Sequence, residues 1–128
     1  MKNIKLGIIC FILSSCNPTY DTSYYLENNS MDTVNVDFYN KENDIVSYKI
    51  APNSNSLFLR IVGIASGPSK MSLSYNDSIF VIKNDKTIKF YRDDNLKNQI
   101  YLMGNWTLTK NEGNTYEYTY SFGEEDFN

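Results

Sequence analysis

The residues that could act on a substrate are few in this chain. Among its 128 residues there is no histidine, which removes the commonest general base, the commonest zinc ligand and every Ser-His or Cys-His nucleophile pair. The only cysteines are Cys10 and Cys16, both near the N-terminus. The glycines lack the spacing of a phosphate-cradling loop. Carboxylates remain. Asp93-Asp94-Asn95 clusters oxygens of the kind a hard cation prefers, yet it lacks the alternating ligands and distal glutamate of an EF-hand, and Asp and Asn favour turns in their own right. Two carboxylates at a set separation would also suffice for glycoside hydrolysis, with Asp93 and Asp94 the pair to hand. Arg60 could hold an anion, but an arginine in an apolar strand more often lays its stem along the sheet and meets a carboxylate at the rim. The expectation from these residues is no catalytic residue, no metal ligand and no cofactor.

The N-terminus carries the clearest chemical signal. Lys2 and Lys5 precede Leu6-Gly7-Ile8-Ile9-Cys10-Phe11-Ile12-Leu13, an uncharged and mostly apolar run. Such a run has the length of a secretory signal core and falls well short of the roughly 20 residues a membrane-spanning helix needs. Leu13-Ser14-Ser15-Cys16 follows, and it resembles the lipobox of bacterial lipoproteins. That resemblance implies diacylglycerol transfer to the Cys16 thiol, cleavage before Cys16, and further acylation with palmitate-type chains. Two or more chains hold a protein stably on a membrane. The alternatives are an ordinary cleaved signal with a chance cysteine, or an uncleaved anchor; no Ala-x-Ala cleavage site favours the former. Residues 1–15 are therefore expected to be removed, with Cys16 as lipidation site and membrane anchor.

The elements that position everything else are β-strands. The 113 residues left after removal of 1–15 suit one domain, and with Cys16 lipidated that domain must hold its core without disulfides. Lys2 and Lys5 leave with the signal, so ten Lys and Arg face fifteen Asp and Glu for a net charge of −5. No basic patch marks a nucleic-acid partner. Tyrosine occurs 11 times while alanine stands only at Ala51 and Ala65, a usage that favours strands over helices.

Residues 16–29 carry Pro, Thr, Ser, Asp and Asn without apolar periodicity and read as a lipidated tether. The domain then spans 30–128. Val34, Val36 and Phe38 alternate with polar residues, as do Val46, Tyr48 and Ile50. Residues 57–64 are apolar on both faces, which predicts a central strand covered on both sides. Met71, Leu73 and Tyr75 alternate with Ser72, Ser74 and Asn76 and predict another strand. A hairpin is expected from residues 78–83 and 86–91, reversing at Asn84-Asp85. At the end, Trp106 and Leu108 face an aromatic ladder of Tyr116, Tyr118, Tyr120 and Phe122 across a turn at Asn111-Glu112-Gly113-Asn114. The ladder could stack carbohydrate if exposed, but the polar residues opposite it argue for the core. Seven to eight short strands predict a single small antiparallel β-sandwich, Ig-like in the broad sense.

The domain also resembles the small lipoproteins common in Bacteroidetes. The resembling residues are Asn28-Asn29-Ser30 leading into Thr33-Val34-Asn35-Val36, Asn76-Asp77-Ser78-Ile79 with the Asn84-Asp85-Lys86-Thr87-Ile88 hairpin, and Trp106 with the closing segment 116–127. This resemblance implies an all-β envelope lipoprotein and supplies no catalytic residue. Asp32-Thr33-Val34 and Asp77-Ser78-Ile79 are similar to the O-glycosylation pattern of exported Bacteroidetes proteins, which makes Thr33 and Ser78 candidate modification sites. The functional expectation is a monomeric binding or structural accessory domain in the bacterial envelope. It would be held on the outer membrane through Cys16, with a protein or glycan partner and loops 66–70 and 92–98 as candidate contacts. Alternatives are an immunity or inhibitor lipoprotein and a carboxylate-dependent glycan-acting enzyme. Asp21 is the one acid close behind Cys16, so the leaflet stays open.

Overall fold

Period-two placement of β-branched and aromatic residues runs through the chain, and the backbone follows it. The computed structural model describes residues 18–64, 67–73, 76–92 and 99–128. Among these lie eight strands: β1 Thr19–Asn28, β2 Val34–Asn40, β3 Ile45–Ile50, β4 Ser54–Ile64, β5 Asn76–Lys83, β6 Lys86–Tyr91, β7 Thr107–Glu112 and β8 Thr115–Phe122. They form sheet A, in the order β4-β1-β8-β7, and sheet B, in the order β3-β2-β5-β6. The fold is the expected small β-sandwich. Five of its six pairings are antiparallel; the exception is β1 with β8, which run parallel.

Alternation decides which side chains meet between the sheets. From sheet B come Val34, Val36, Phe38, Ile50, Ile79 and Val81, and from sheet A Tyr24, Leu26, Tyr120 and Phe122, all buried. Trp106 sits among the rings, edge-on to Tyr24 at 5.6 Å, and its indole N–H donates to the Ile100 carbonyl at 2.8 Å. Tyr24 stacks on Tyr118 at 5.3 Å, and Phe38 on Phe58 at 4.6 Å. The aromatic ladder of β8 thus faces the core from Tyr118 onward, while Tyr116 packs against Tyr20 at 5.9 Å. In the β7–β8 turn Gly113 takes φ +59°, the left-handed region where a side chain is strained.

Three expectations need correction. Residues 19–28 are not a tether. They form β1, an internal strand paired with β4 on one edge and β8 on the other. Thr22, Tyr24, Leu26 and Asn28 carry its buried face; the mixture of polar and apolar types on that face hid its period of two. Residues 57–64 are not central either. They lie in β4, an edge strand, where a bulge sets Tyr24 opposite Leu59 and Tyr25 opposite Leu57. The extra residue turns both Phe58 and Leu59 toward the core. Leu57, Val62 and Ile64 are exposed, so the two-sided apolar pattern reflects a bulge and not double coverage. Finally, residues 67–73 are irregular, although Met71 and Leu73 are buried as the alternation implied. The Tyr24 hydroxyl holds this segment, donating to the Ser69 carbonyl at 2.5 Å and accepting from the Met71 N–H at 3.0 Å.

One end of the sandwich is closed by a buried polar network. The Asn28 amide donates to the carbonyls of Asp32 at 2.7 Å and Ile50 at 3.0 Å. Its oxygen accepts from the backbone and hydroxyl of Ser30 at 2.9 and 2.7 Å. Beside it, buried Lys83 pairs with Glu124 at the start of a closing 3₁₀ turn, Glu124–Phe127, and lies over the Phe127 ring at 4.7 Å. Lys83, and after it the Met31 N–H, hold the Glu124 carboxyl below its usual range.

A chain beginning at Asn29 should therefore fail to fold, because β4 loses its partner in sheet A. Far-UV circular dichroism and cooperative urea unfolding of that truncation give the check; native behaviour would restore the tether reading. Asn28→Ala in the intact domain should cost about 1–3 kcal/mol by leaving buried carbonyls and N–H groups unpaired, measured as a lower urea midpoint.

Candidate functional site

The two sheets are sealed unequally along their sides. At the β3–β4 side the Tyr48 ring packs on Phe58 at 5.7 Å and its hydroxyl donates to the Phe58 carbonyl at 3.4 Å. On the side of β6 and β8 a cleft of about 380 Å³ remains, lined by Ile88, Phe90, Asn105, Tyr120, Ser121, Phe122 and Asp126. An apolar concavity with a few converging polar groups is the default form of a binding site.

Each wall follows from local structure. Ile88 and Phe90 are the inward residues of β6, an edge strand, so their rims stay partly open. Tyr120 and Phe122 are the last inward residues of β8, with rings 5.2 Å apart, and Phe90 meets Tyr120 edge-on at 6.5 Å. Asn105 ends the 3₁₀ turn Met103–Asn105, and its amide donates to the Gln99 carbonyl at 2.9 Å. Asp126 is fixed by the closing turn, where the Gly123 N–H donates to its carboxylate at 2.7 Å.

Burial, and secondarily the negative charge of Asp126, pushes the Tyr120 hydroxyl up to about 12. Tyr120 therefore stays neutral at physiological pH, in an aromatic wall beside a carboxylate. The arrangement can hold an apolar or ring-shaped group, with Asp126 available to accept a hydrogen bond or meet a cation.

A second cavity of about 360 Å³ lies over Tyr24 and Tyr118, with Pro68, Ser69, Lys70, Met103 and Gly104 around it. The described part of the 66–70 loop thus forms a cavity wall, pinned through Tyr24 and by the Ser69 N–H donating to Thr22 Oγ1 at 3.1 Å. Of the 92–98 loop only Arg92 lies within the described residues, facing Asp77 at 3.4 Å; Asp93 and Asp94 lie outside them, as does Cys16. Among the described residues no three His, Cys, Asp or Glu side chains converge as a metal site would require. Arg60 meets Asp21 in a two-point ion pair at 2.9 and 2.5 Å and draws its carboxyl below the usual range, the rim pairing its sequence context suggested. Thr33 is half-buried just before β2. Ser78 is half-buried in β5, between Tyr39 and Tyr91 on the outer face of sheet B. That face carries a ring cluster, Phe80 lying 4.8 Å from Tyr39 and 6.3 Å from Tyr91 with Lys89 over it at 5.2 Å.

Sequence reasoning missed the cleft because it favoured the core face for the β8 ladder, with rim tyrosines as the exceptions, and foresaw no concavity at the ladder's end. The signal it left is the acidic segment Glu124-Glu125-Asp126 directly after the ladder, which places a carboxylate at the end of an aromatic wall.

The Tyr120 hydroxyl gives a pH prediction. Its folded value lies above the 10.0 of an unfolded tyrosine, so the unfolded chain loses its proton first as pH rises. Its contribution is complete below pH 10 and is lost from there to about 12. Tyr120→Phe should unfold with less alkaline dependence than the parent when urea midpoints are compared across that window; equal slopes would refute a buried neutral Tyr120.

The chain matches no family model, no curated protein and no solved structure, so the cleft is read from its own residues alone.

Proposed function

We propose that this chain is a lipid-anchored lipoprotein of the bacterial cell envelope, held on the outer membrane through Cys16, whose sandwich binds a protein or glycan partner without transforming it. The observation that carries the binding role is the inter-sheet cleft. Its walls are Ile88, Phe90, Tyr120 and Phe122, and its polar groups include a tyrosine that keeps its proton to about pH 12. Such groups suit retention of a ligand better than proton transfer near neutrality, where a general base needs a pKa near the working pH. The anchor rests on the lipobox-like Leu13-Ser14-Ser15-Cys16 behind its charged and apolar segments.

A second reading, an immunity or inhibitor lipoprotein that masks another protein through one face, draws on the ring cluster of Tyr39, Phe80 and Tyr91 outside sheet B. Tyrosines and phenylalanines with a neighbouring cation are the residue types that anchor protein interfaces.

Three measurements test the proposal. Cells fed an alkyne-tagged fatty acid should label the parent chain and leave Cys16→Ser as an unlabelled precursor; label in the variant would end the anchor assignment. Titrating the isotopically labelled domain with solubilised envelope glycan and protein fractions should shift the amides of Phe90, Tyr120 and Asp126 with the ligand recovered intact. Shifts confined to Tyr39, Phe80 and Tyr91 would favour the masking role. Ligand cleavage that disappears in Asp93→Asn or Asp94→Asn would replace binding with catalysis.

A further inference from the structure

The position of β1 fixes how an anchored domain meets its membrane. Only Asn17 and Pro18 separate Cys16 from Thr19, which is already paired with Ile64 of β4. Three Cα steps span at most roughly 11 Å, and the headgroup layer of one leaflet is itself roughly 5–8 Å deep. The start of β1 is thereby confined to the bilayer surface. The ten residues of β1 place the opposite end of the sandwich roughly 30 Å further out.

The two ends differ in the way that placement demands. The chain enters at the end formed by the start of β1 and the finish of β4. Strands β2 and β6 also finish there, and β3 and β5 begin there, since the Asn28, Lys83 and Glu124 contacts gather their other termini at the far end. Five exposed large apolar side chains lie at the near end: Ile45, Val46, Val62, Ile64 and Tyr91, with Val62 57% and Ile64 70% exposed. Beside them the Tyr20 and Tyr116 rings pack together, amphipathic side chains of the kind that sit at the headgroup level. Toward the far end the exposed large apolar residues are Met31 and, early in β4, Leu57.

We infer that the rim of Tyr20, Val62, Ile64 and Tyr116 rests on the lipid headgroups, a second and noncovalent contact with the bilayer that sets the domain upright with the end closed by Asn28 and Lys83 outward. This inference rests on the anchor at Cys16, and its test separates the two. With Cys16 acylated and Cys10 removed with the signal, a cysteine introduced elsewhere is the single free thiol. Full-length lipoprotein carrying Ile64→Cys, Val62→Cys or Met31→Cys is labelled with bimane and reconstituted into phosphatidylethanolamine–phosphatidylglycerol vesicles holding shallow doxyl-lipid quenchers. Protein that floats with the vesicles and shows several-fold stronger quenching at positions 62 and 64 than at 31 supports the rim contact. Flotation with equal or absent quenching at all three positions overturns the contact and leaves the anchor standing. Protein that neither floats nor carries acyl mass overturns the anchor and the contact together.

Discussion

Sheet A is held together by β1. Every residue from Thr19 to Asn28 is paired with β4, and from Asp21 onward each is also paired with β8. A strand hydrogen-bonded on both edges must present one face to the core, and this one does so with residues that also organise their surroundings. Tyr24 stacks on Tyr118, meets Trp106 and pins the 67–73 segment through its hydroxyl. Asn28 satisfies the backbone of the β1–β2 connection and the end of β3. A buried amide or phenol without partners is costly, and both are fully partnered here. The first strand therefore sets the positions of the last strand, an irregular crossover and one closed end.

The parts of the fold visible in sequence are those where chemistry and burial agree. Val34, Val36 and Phe38 alternate cleanly because β2 is internal to its sheet and polar on its outer face. The hairpins at Asn84-Asp85 and Gly113-Asn114 were legible because Asn84 and Gly113 tolerate the positive φ they adopt. β1 was hidden because Thr22 and Asn28 take core positions through hydrogen bonds, which hydropathy does not register. β4 misled for the opposite reason: its bulge shifts the inward set from Phe58 to Leu59, so one apolar run serves two registers. The cleft was illegible because it depends on how far β6 stands from β8, a distance between strands of different sheets. Only Asp126, at the end of the ladder, marked it.

The cleft and the rim proposed to face the membrane occupy different parts of the molecule. Phe122 and Asp126 lie at the end of the sandwich where Asn28 and Lys83 close it, whereas Tyr20 and Ile64 lie at the other. On the proposed orientation the cleft opens sideways and away from the lipid, accessible to a partner in the aqueous phase. At the outer end Lys83 is held internally, by Glu124 and over the Phe127 ring.

A strand gripped along both edges also responds distinctively to mechanical load. A pull applied through the N-terminus acts along the axis of β1, against the ladders of β4 and β8 together. Those hydrogen bonds are then strained in shear and share the force, whereas a terminal edge strand pulled away sideways would lose them singly. The domain is thus stiffest along the direction in which a membrane anchor and a bound partner would tug it.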